Sequence, residues 1–457
     1  MPPHLRLPPE LWASVFEELE RSDLLSANLL SWPFHALTHP LVFRTIHFGF
    51  TSWKESTLLP RLAGLQRGDI APYVQKVDIH FVNSLLVQSH RSTLVVSPDS
   101  GNPLVVALLR TLRSFCGLRQ LFMRLDMQDA QIDIARLGLE QIGVKELLIW
   151  GGRVVPPTLD SADTSMISLE RLHLRVRDPR DKESSAAAAH LCLPSHLSLL
   201  DMLDPSRLRA LELYFDSQVV LGSGIRRLRF LAVTSLRIEC RWNSPRVLED
   251  LAHMFPNVQQ LVLSGSVVWF RDSNDTRWAL FSGLESLHVP EACLPLLLCA
   301  RRAGDDGLPR PVRLVVSSEC RTFQKMMETL DMRSLQFLRL TIKAKAFCSA
   351  PFDVQERLPS LTTLQLSISL EHFRIDRDSM RQIACALARM IRPAKALLLA
   401  DITLVDRPLA TDNSVTAWAE QQLIAATKSL NSFLDSRFPD LRCRMRLQCR
   451  LRHSLDR

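Results

Sequence analysis

The side chains best equipped for chemistry recur at two-residue spacing. They are Arg171, His173 and Arg175, then Glu212 and Tyr214, Arg237 and Glu239, and Phe337 with Arg339. Arginine and tyrosine anchor interfaces, and an arginine fork holds a carboxylate or phosphate through paired hydrogen bonds. Such a set suits binding of an acidic or phosphorylated segment near Arg171, Arg175 and Arg237. Bond-making chemistry is not legible. There is no G-x-S-x-G elbow, no G-x-x-x-x-G-K-[ST] loop and no H-E-x-x-H helix. Gly222-Ser223-Gly224 lacks the third glycine and the βαβ setting of a dinucleotide site. His190, Cys192 and His196 stand close together, but their spacing fits no common zinc pattern. Glycine is scarce at 15 residues, which argues against phosphate-cradling loops. The sequence therefore offers no catalytic residue, no metal ligand set and no cofactor site.

A second basic feature closes the chain. Residues 437–457 hold seven Arg against two Asp, a net +5 of the overall +8. Arg442, Arg444, Arg446, Arg450 and Arg452 alternate mostly with Met445, Leu447, Cys449 and Leu451. That alternation fits a last amphipathic strand closing a sheet better than a nucleic-acid site, because no aromatic side chains stand between the arginines for bases to stack on.

The elements that must carry these side chains are set by a repeat. The pattern apolar-x-x-Leu-x-apolar appears at Val74/Val77/Ile79, Leu118/Leu121/Met123, Val144/Leu147/Ile149, Leu169/Leu172/Leu174 and Leu208/Leu211/Leu213. It continues at Val233/Leu236/Ile238, Val258/Leu261/Leu263, Leu284/Leu287/Val289, Pro311/Leu314/Val316, Leu335/Leu338/Leu340 and Leu361/Leu364/Leu366. From 208 the steps are 25, 25, 26, 27, 24 and 26 residues. This is leucine-rich-repeat spacing, one strand plus a helix or turn per repeat. In Arg171–Val176 the apolar residues point one way and the charged ones the other, which puts the candidate binding residues on the exposed, concave side. Asn102-Pro103 reads as a helix start before Leu104, Leu108, Leu112 and Phe115. Val247, Leu248, Leu251, Met254 and Phe255 form a second apolar stripe, and Met380, Ile383, Leu387 and Ile391 a third. The asparagine expected after each strand is missing, with Arg177, Asp216, Ser266 and Ala292 in its place. Backbone groups in those turns must then be satisfied one by one. The long steps contain Ser97–Pro103 and 177–195, both polar and read as surface insertions.

Ahead of the repeats, residues 7–44 are short amphipathic helices with more apolar side chains than so small a unit can bury. Pro8 and Pro9 suit a first helical turn, and Leu11, Val15, Phe16 and Leu19 make one stripe. Ser22-Asp23 reads as an N-cap before Leu24, Leu25, Ala27 and Leu29, and Pro33 breaks or restarts a third helix. Leu-Pro-x-Glu-Leu at 7–11, Val-Phe-x-x-Leu at 15–19, Asp-Leu-Leu-Ser-Ala at 23–27 and Pro-Leu-x-Phe at 40–43 resemble the F-box. Where that family often carries Cys-x-x-Trp, this chain has Ser31-Trp32-Pro33-Phe34. The resemblance implies a Skp-type adaptor, and through it a cullin, bound at or supported by Leu7, Pro8, Leu11, Val15, Phe16, Leu19, Leu24, Leu25 and Phe34. An F-box followed by irregular leucine-rich repeats resembles substrate receptors of cullin–RING ubiquitin ligases over essentially the whole chain.

Composition agrees with a folded, non-membrane chain. Hydrophobic residues make up 46% and charged ones 23%. No apolar run approaches the roughly 18 residues a bilayer span needs. Ten cysteines without a C-x-x-C pair suit a reducing cytosol or nucleus. The expectation is an α/β protein. A helical F-box at 1–50 precedes an irregular leucine-rich-repeat solenoid at 51–436, with a parallel concave sheet, and a basic strand or tail at 437–457. The function expected is that of a substrate-recognition subunit binding a protein partner, without catalysis of its own. The alternative is a leucine-rich scaffold or inhibitor acting without a ligase.

Overall fold

Two leucines separated by one residue share a face only in an extended chain. A roughly 25-residue step then leaves room for a crossover before the next strand, as parallel pairing requires. A computed structural model of the chain shows that arrangement. It describes residues 7–50, 55–66, 69–82, 95–99, 101–126, 130–134, 136–155, 166–176, 198–218, 228–242, 246–267, 281, 283–294, 297, 311–320, 333–349, 358–370, 377–391, 397, 399–406 and 442–449, with a few single positions between 424 and 436. The chain is α/β and divides into two units, 1–233 and 234–457.

The first unit begins with helices α1 (Pro9–Glu17), α2 (Arg21–Asn28) and α3 (Trp32–Val42). Then come β1 (Thr45–Phe50), α4 (Glu55–Leu65), β2 (Lys76–Phe81), β3 (Val95–Val96), α5 (Pro103–Ser114), β4 (Gln120–Leu125) and β5 (Gln131–Ile132). Helix α6 (Leu139–Ile142), β6 (Glu146–Gly151), β7 (Arg153–Val154), β8 (Arg171–Val176) and β9 (Ala210–Gln218) complete it. Strands β1, β2, β4, β6, β8 and β9 pair in that order, all parallel. The repeat is the register. Val77, Leu121, Leu147, Leu172 and Leu211 face each other strand to strand, as do Ile79, Met123, Ile149, Leu174 and Leu213. None of these is more than 3% exposed. Each buried side chain contributes about 1.5–3 kcal/mol relative to exposure. Helix α5 packs against α4 and α6 and buries Val105, Leu108, Leu109 and Leu112, and Asn102 caps it by accepting from the Leu104 and Val105 amides.

The second unit holds β10 (Ser235–Arg241), α7 (Arg246–Met254), β11 (Gln260–Ser264), β12 (Ser286–Val289), β13 (Arg313–Cys320), β14 (Phe337–Lys343), α8 (Ala344–Ser349), β15 (Thr363–Ser369), α9 (Arg377–Ile391), β16 (Leu399–Asp406) and β17 (Arg442–Cys449). Its strands also pair in sequence order and in parallel. One buried row runs Leu236, Leu261, Leu287, Leu314, Leu338, Leu364 and Ala400. The α7 stripe of Val247, Leu248, Leu251 and Met254 is buried, and so are Ile383 and Leu387 of α9.

Backbone groups at the strand entrances are satisfied in a repeating way. The Arg44 carbonyl accepts from the Gln75 and Lys76 amides, and Gln75 from Arg119 and Gln120. The same double acceptance recurs at Arg119, Lys145 and Glu170, and in the second unit at Thr234, Gln259, Glu285, Val312 and Gln336. Two glycines close strands where no other residue fits. Gly151 and Gly265 sit at φ of 79° and 105°, and a Cβ there would collide with the carbonyls of Leu125 and Cys240.

Three expectations change. The 1–50 helical boundary falls inside the sheet, because Ile46, Phe48 and Phe50 alternate into the core as strand β1. The Ser97–Pro103 stretch is not wholly a surface insertion, since Ser97 is buried and Pro103 opens α5; just ahead of it Val95–Val96 starts a second small parallel sheet, β3-β5-β7. Helix α2 begins at Arg21 with Glu20 as its cap and no side-chain capping bond, so Ser22 lies inside it. In the tail, Arg442–Cys449 pairs along the whole of β16. The 177–195 insertion, with His190 and Cys192, and His196 just after it lie outside the described residues, as do Gly222–Gly224 and the last residues from 450.

Candidate partner-binding surfaces

The N-terminal helices are built around Phe16, Leu24, Ala27 and Val42, with Trp12, Leu19, Phe34, Leu37, Leu41 and Phe43 packed against them. Trp12, Phe16 and Phe34 form a ring trio with centroids 4.9–5.6 Å apart. Helix α3 starts cleanly because Ser31 Oγ accepts from the Phe34 amide at 3.3 Å and Pro33 occupies the first turn, where its missing N–H is not needed. Pro33 therefore restarts the helix. Thr38 Oγ1 lies 3.0 Å from Asn28 Oδ1 and 2.7 Å from the Phe34 carbonyl, tying α2 to α3.

That small core leaves much apolar surface outside it. Leu7, Leu11, Val15, Leu25, Leu29, Leu30 and Trp32 are exposed, Leu29 to 85% and Trp32 to 78%. Over all other described residues the exposed large apolar side chains are only Tyr73, Met166, Leu231, Val312 and Ile424. Leu11 and Val15 are one turn apart on α1, and Leu25 and Leu29 are likewise one turn apart. The nine sequence-selected adaptor residues thus divide. Leu7, Pro8, Leu11, Val15 and Leu25 lie on the surface, Phe16 and Leu24 are buried, and Leu19 and Phe34 are half-buried in the core. Leu29, Leu30 and Trp32 were not among the nine, although they stand in the same apolar stretch.

Along α3 a second file of rings runs Trp32, His35, His39 and Phe43, with centroids 5.2, 4.8 and 4.7 Å apart. Tyr73 meets His39 edge-on at 5.8 Å. The His39 Nδ1 is buried without a hydrogen-bond partner. Desolvation and then the neighbouring His35 hold its pKa below the usual imidazole value, against a smaller upward pull from Asp69.

The open sheet face of the first unit is internally paired. Arg171 approaches Glu146 at 3.8 Å, so its fork faces a carboxylate of the preceding repeat. His173 bonds Glu212 at 3.1 Å through Nδ1 and accepts or shares the Trp150 Nε1 hydrogen at 3.1 Å through Nε2. Its ring stacks on Tyr214 at 5.0 Å. Arg175 lies 5.6 Å from the Trp150 ring centre and 5.8 Å from that of Tyr214. Phe122 meets Trp150 edge-on. Phe122 and Trp150 belong to this cluster, yet they were missed because the side-chain selection began at Arg171. The outward-facing rule, applied two repeats earlier, yields both. Toward the other edge, His47 and Asp78 pair at 2.9 Å, and His80 and Arg124 reach Asp126 at 2.7 and 2.9 Å. Burial pushes the Asp126 pKa up, but those two bonds and the Arg124 charge outweigh it, and the carboxyl sits below its ordinary value.

In the second unit Arg237 and Arg339 are exposed, and Glu239 and Phe337 are half-buried. Ser264 Oγ bonds Glu239 at 3.2 Å. Arg313 lies 4.1 Å over the Phe337 ring. His288 stands between the arginines in the register, half-buried. The nine sequence-selected partner residues therefore fall into two separate groups, one per unit.

Among the described residues reactive groups are few. The buried thiols of Cys240 and Cys293 are pushed up by desolvation, Cys293 to about 12, and that of Cys348 to about 11. All three are protonated at neutral pH, which leaves them poor nucleophiles. Among the described residues no group of three His, Cys, Asp or Glu side chains could hold a metal ion, and no helix is long and apolar enough to cross a membrane. The fold and these surfaces define an α/β protein with parallel strands in each unit and exposed apolar side chains on its N-terminal helices. No family model matches the chain, and no curated protein matches it.

Proposed function

We propose that the chain is a substrate-recognition subunit of a cullin–RING ubiquitin ligase. Helices α1–α3 act as an F-box that docks a Skp-type adaptor, and the sheet units act as an irregular leucine-rich-repeat solenoid that presents a protein partner. The observation that carries the reading is the concentration of exposed apolar side chains on Leu7–Trp32, against their near absence elsewhere among the described residues. A surface of that kind needs a cover, and apolar patches of this sort mark protein interaction sites. The motif order at 7–43 names the cover as a helical adaptor. In this reading the protein works by holding its partner near the transfer machinery, which raises effective concentration.

The test is co-expression of the full chain with a tagged Skp-type adaptor. Wild type should co-purify stoichiometrically, and Leu11→Asp with Leu29→Asp should lose the adaptor while melting at the wild-type temperature. Failure of the wild type to retain the adaptor would leave the scaffold or inhibitor reading in its place.

A further inference from the structure

The serine side chains of the N-terminal helices are not placed alike. Ser14 and Ser26 lie inside α1 and α2, and each donates its hydroxyl to a carbonyl one turn back, Glu10 at 3.1 Å and Ser22 at 3.0 Å. Ser22 is itself inside α2. Ser31 instead stands between α2 and α3, exposed and extended, with φ of −162° and ψ of 158°. Its Oγ accepts from the Phe34 amide at 3.3 Å, which engages an oxygen lone pair and not the hydroxyl hydrogen. Phosphoryl transfer is governed by positioning, with the acceptor oxygen brought in line with the donor phosphorus. A serine wound into a helix must first be unwound to reach such a cleft, whereas Ser31 is already extended on the surface.

The neighbours of Ser31 decide what a phosphate would do there. Leu29, Leu30 and Trp32 beside it are exposed to 85%, 72% and 78%, within the apolar surface assigned to the adaptor. A phosphate brings close to two negative charges and three acceptor oxygens. Closing an apolar interface over it strips water from those charges, and an unpaired buried charge opposes association. The helix behind it tolerates the same group. Ser31 is the N-cap of α3, where a negative charge is favourable, and phosphate oxygens can take over the Phe34 amide. Docking is then lost while the fold is kept.

We propose that Ser31 is a phosphoacceptor and that a protein kinase acting on it switches adaptor docking off. The Ser31 Oγ attacks the γ-phosphorus of ATP, the bond from that phosphorus to the β,γ-bridging oxygen breaks, and ADP leaves. The hydroxyl proton passes to the general base of the kinase. Hydrolysis by a phosphatase restores the serine and frees inorganic phosphate. This switch deepens the proposed function and rests on it, because it regulates the same surface.

The test is calorimetric titration of a purified Skp-type adaptor into three forms of the full chain. One is unmodified, one has Ser31 replaced by genetically encoded phosphoserine, and one has the same replacement at Ser206, an exposed serine in the turn before β9. Modification at 31 should weaken docking at least tenfold, and phosphatase treatment should restore it. Modification at 206 should stay within twofold of the unmodified chain, and all three forms should melt at the same temperature. In chain expressed in a eukaryotic host, peptide mapping should find phosphate on Ser31 in the adaptor-free pool and not in the adaptor-bound pool. An equal loss from modification at 206, a lower melting temperature after modification at 31, phosphate on Ser31 of the bound pool, or none in either pool overturns the proposal. Equal docking by the unmodified and Ser31-modified chains removes the switch alone. If the unmodified chain fails to dock, the proposed function falls and the switch with it.

Discussion

The N-terminal helices and the sheet behind them solve the same problem in opposite ways. In the sheet, the inward apolar residues of each strand meet those of the next, and the rows Val77–Leu211 and Leu236–Leu364 are sealed from water. In the helices, Phe16, Leu24, Ala27 and Val42 are covered while Leu11, Val15, Leu25, Leu29 and Trp32 are not. A repeat array supplies its own partner surface at each step. Three short helices leave apolar area uncovered among the described residues, and in the proposed reading another molecule covers it.

The comparison is broken most severely by charge. Leu211→Asp or Leu261→Asp places a carboxylate in a row that is closed to water and should cost about 4 kcal/mol or more. Local loss of the sheet should appear in denaturant unfolding. Leu11→Asp or Leu29→Asp, chemically the same change on the exposed helices, should move stability by no more than about 0.5 kcal/mol. A large loss at Leu29 would mean that the helices are covered by the chain itself.

Phe16→Ala sharpens the division within the helices. It removes the ring at the centre of the Trp12–Phe34 trio and should cost about 3 kcal/mol of local stability. Hydrogen exchange should then rise across α1–α3 while protection of β2 and β4 is retained. Gly265→Ala tests the sheet from its backbone. A left-handed φ and the crowding against the Cys240 carbonyl should cost about 1–3 kcal/mol, read as a lower denaturation midpoint.

How much of this was legible before the fold depended on how local the signal was. The strands of the repeat were readable because Leu-x-Leu at a constant step fixes both face and register. The β16 repeat escaped notice because Ala400 stands where a leucine was sought, and β1 because Phe43, Ile46 and Phe48 follow directly on a helical pattern. The two-residue strands β3, β5 and β7 carry too little sequence to announce themselves. On the helices, type and spacing marked an apolar-rich stretch but could not sort Phe16 from Val15. Which stripe turns inward is decided by how α1 meets α3. On the sheet face, the pairing of Arg171 with Glu146 comes from the preceding repeat, 25 residues earlier. It becomes visible only once strand order is known.

The smallest expected effect is a pH dependence of the helical region. His39 has a native pKa below its ordinary value, so it takes up a proton on unfolding as pH falls. The helices should therefore be most stable above about pH 6.5, and lose stability as pH drops through that value toward the lowered native pKa. Exchange protection in α3 measured at pH 7.5 and 5.5 should show the loss, and His39→Gln should flatten it.

The central claim is that exposed side chains, not the helical core, hold the adaptor. Calorimetric titration of a purified Skp-type adaptor into the full chain tests it directly, comparing wild type with a Leu11→Ala, Val15→Ala, Leu29→Ala surface triple variant. Hot-spot anchors contribute about 2 kcal/mol or more each, so the account predicts tight wild-type binding weakened at least a hundredfold in the triple variant, with unchanged melting of both. Wild-type affinity retained by the triple variant, or no binding by the wild type, would contradict it.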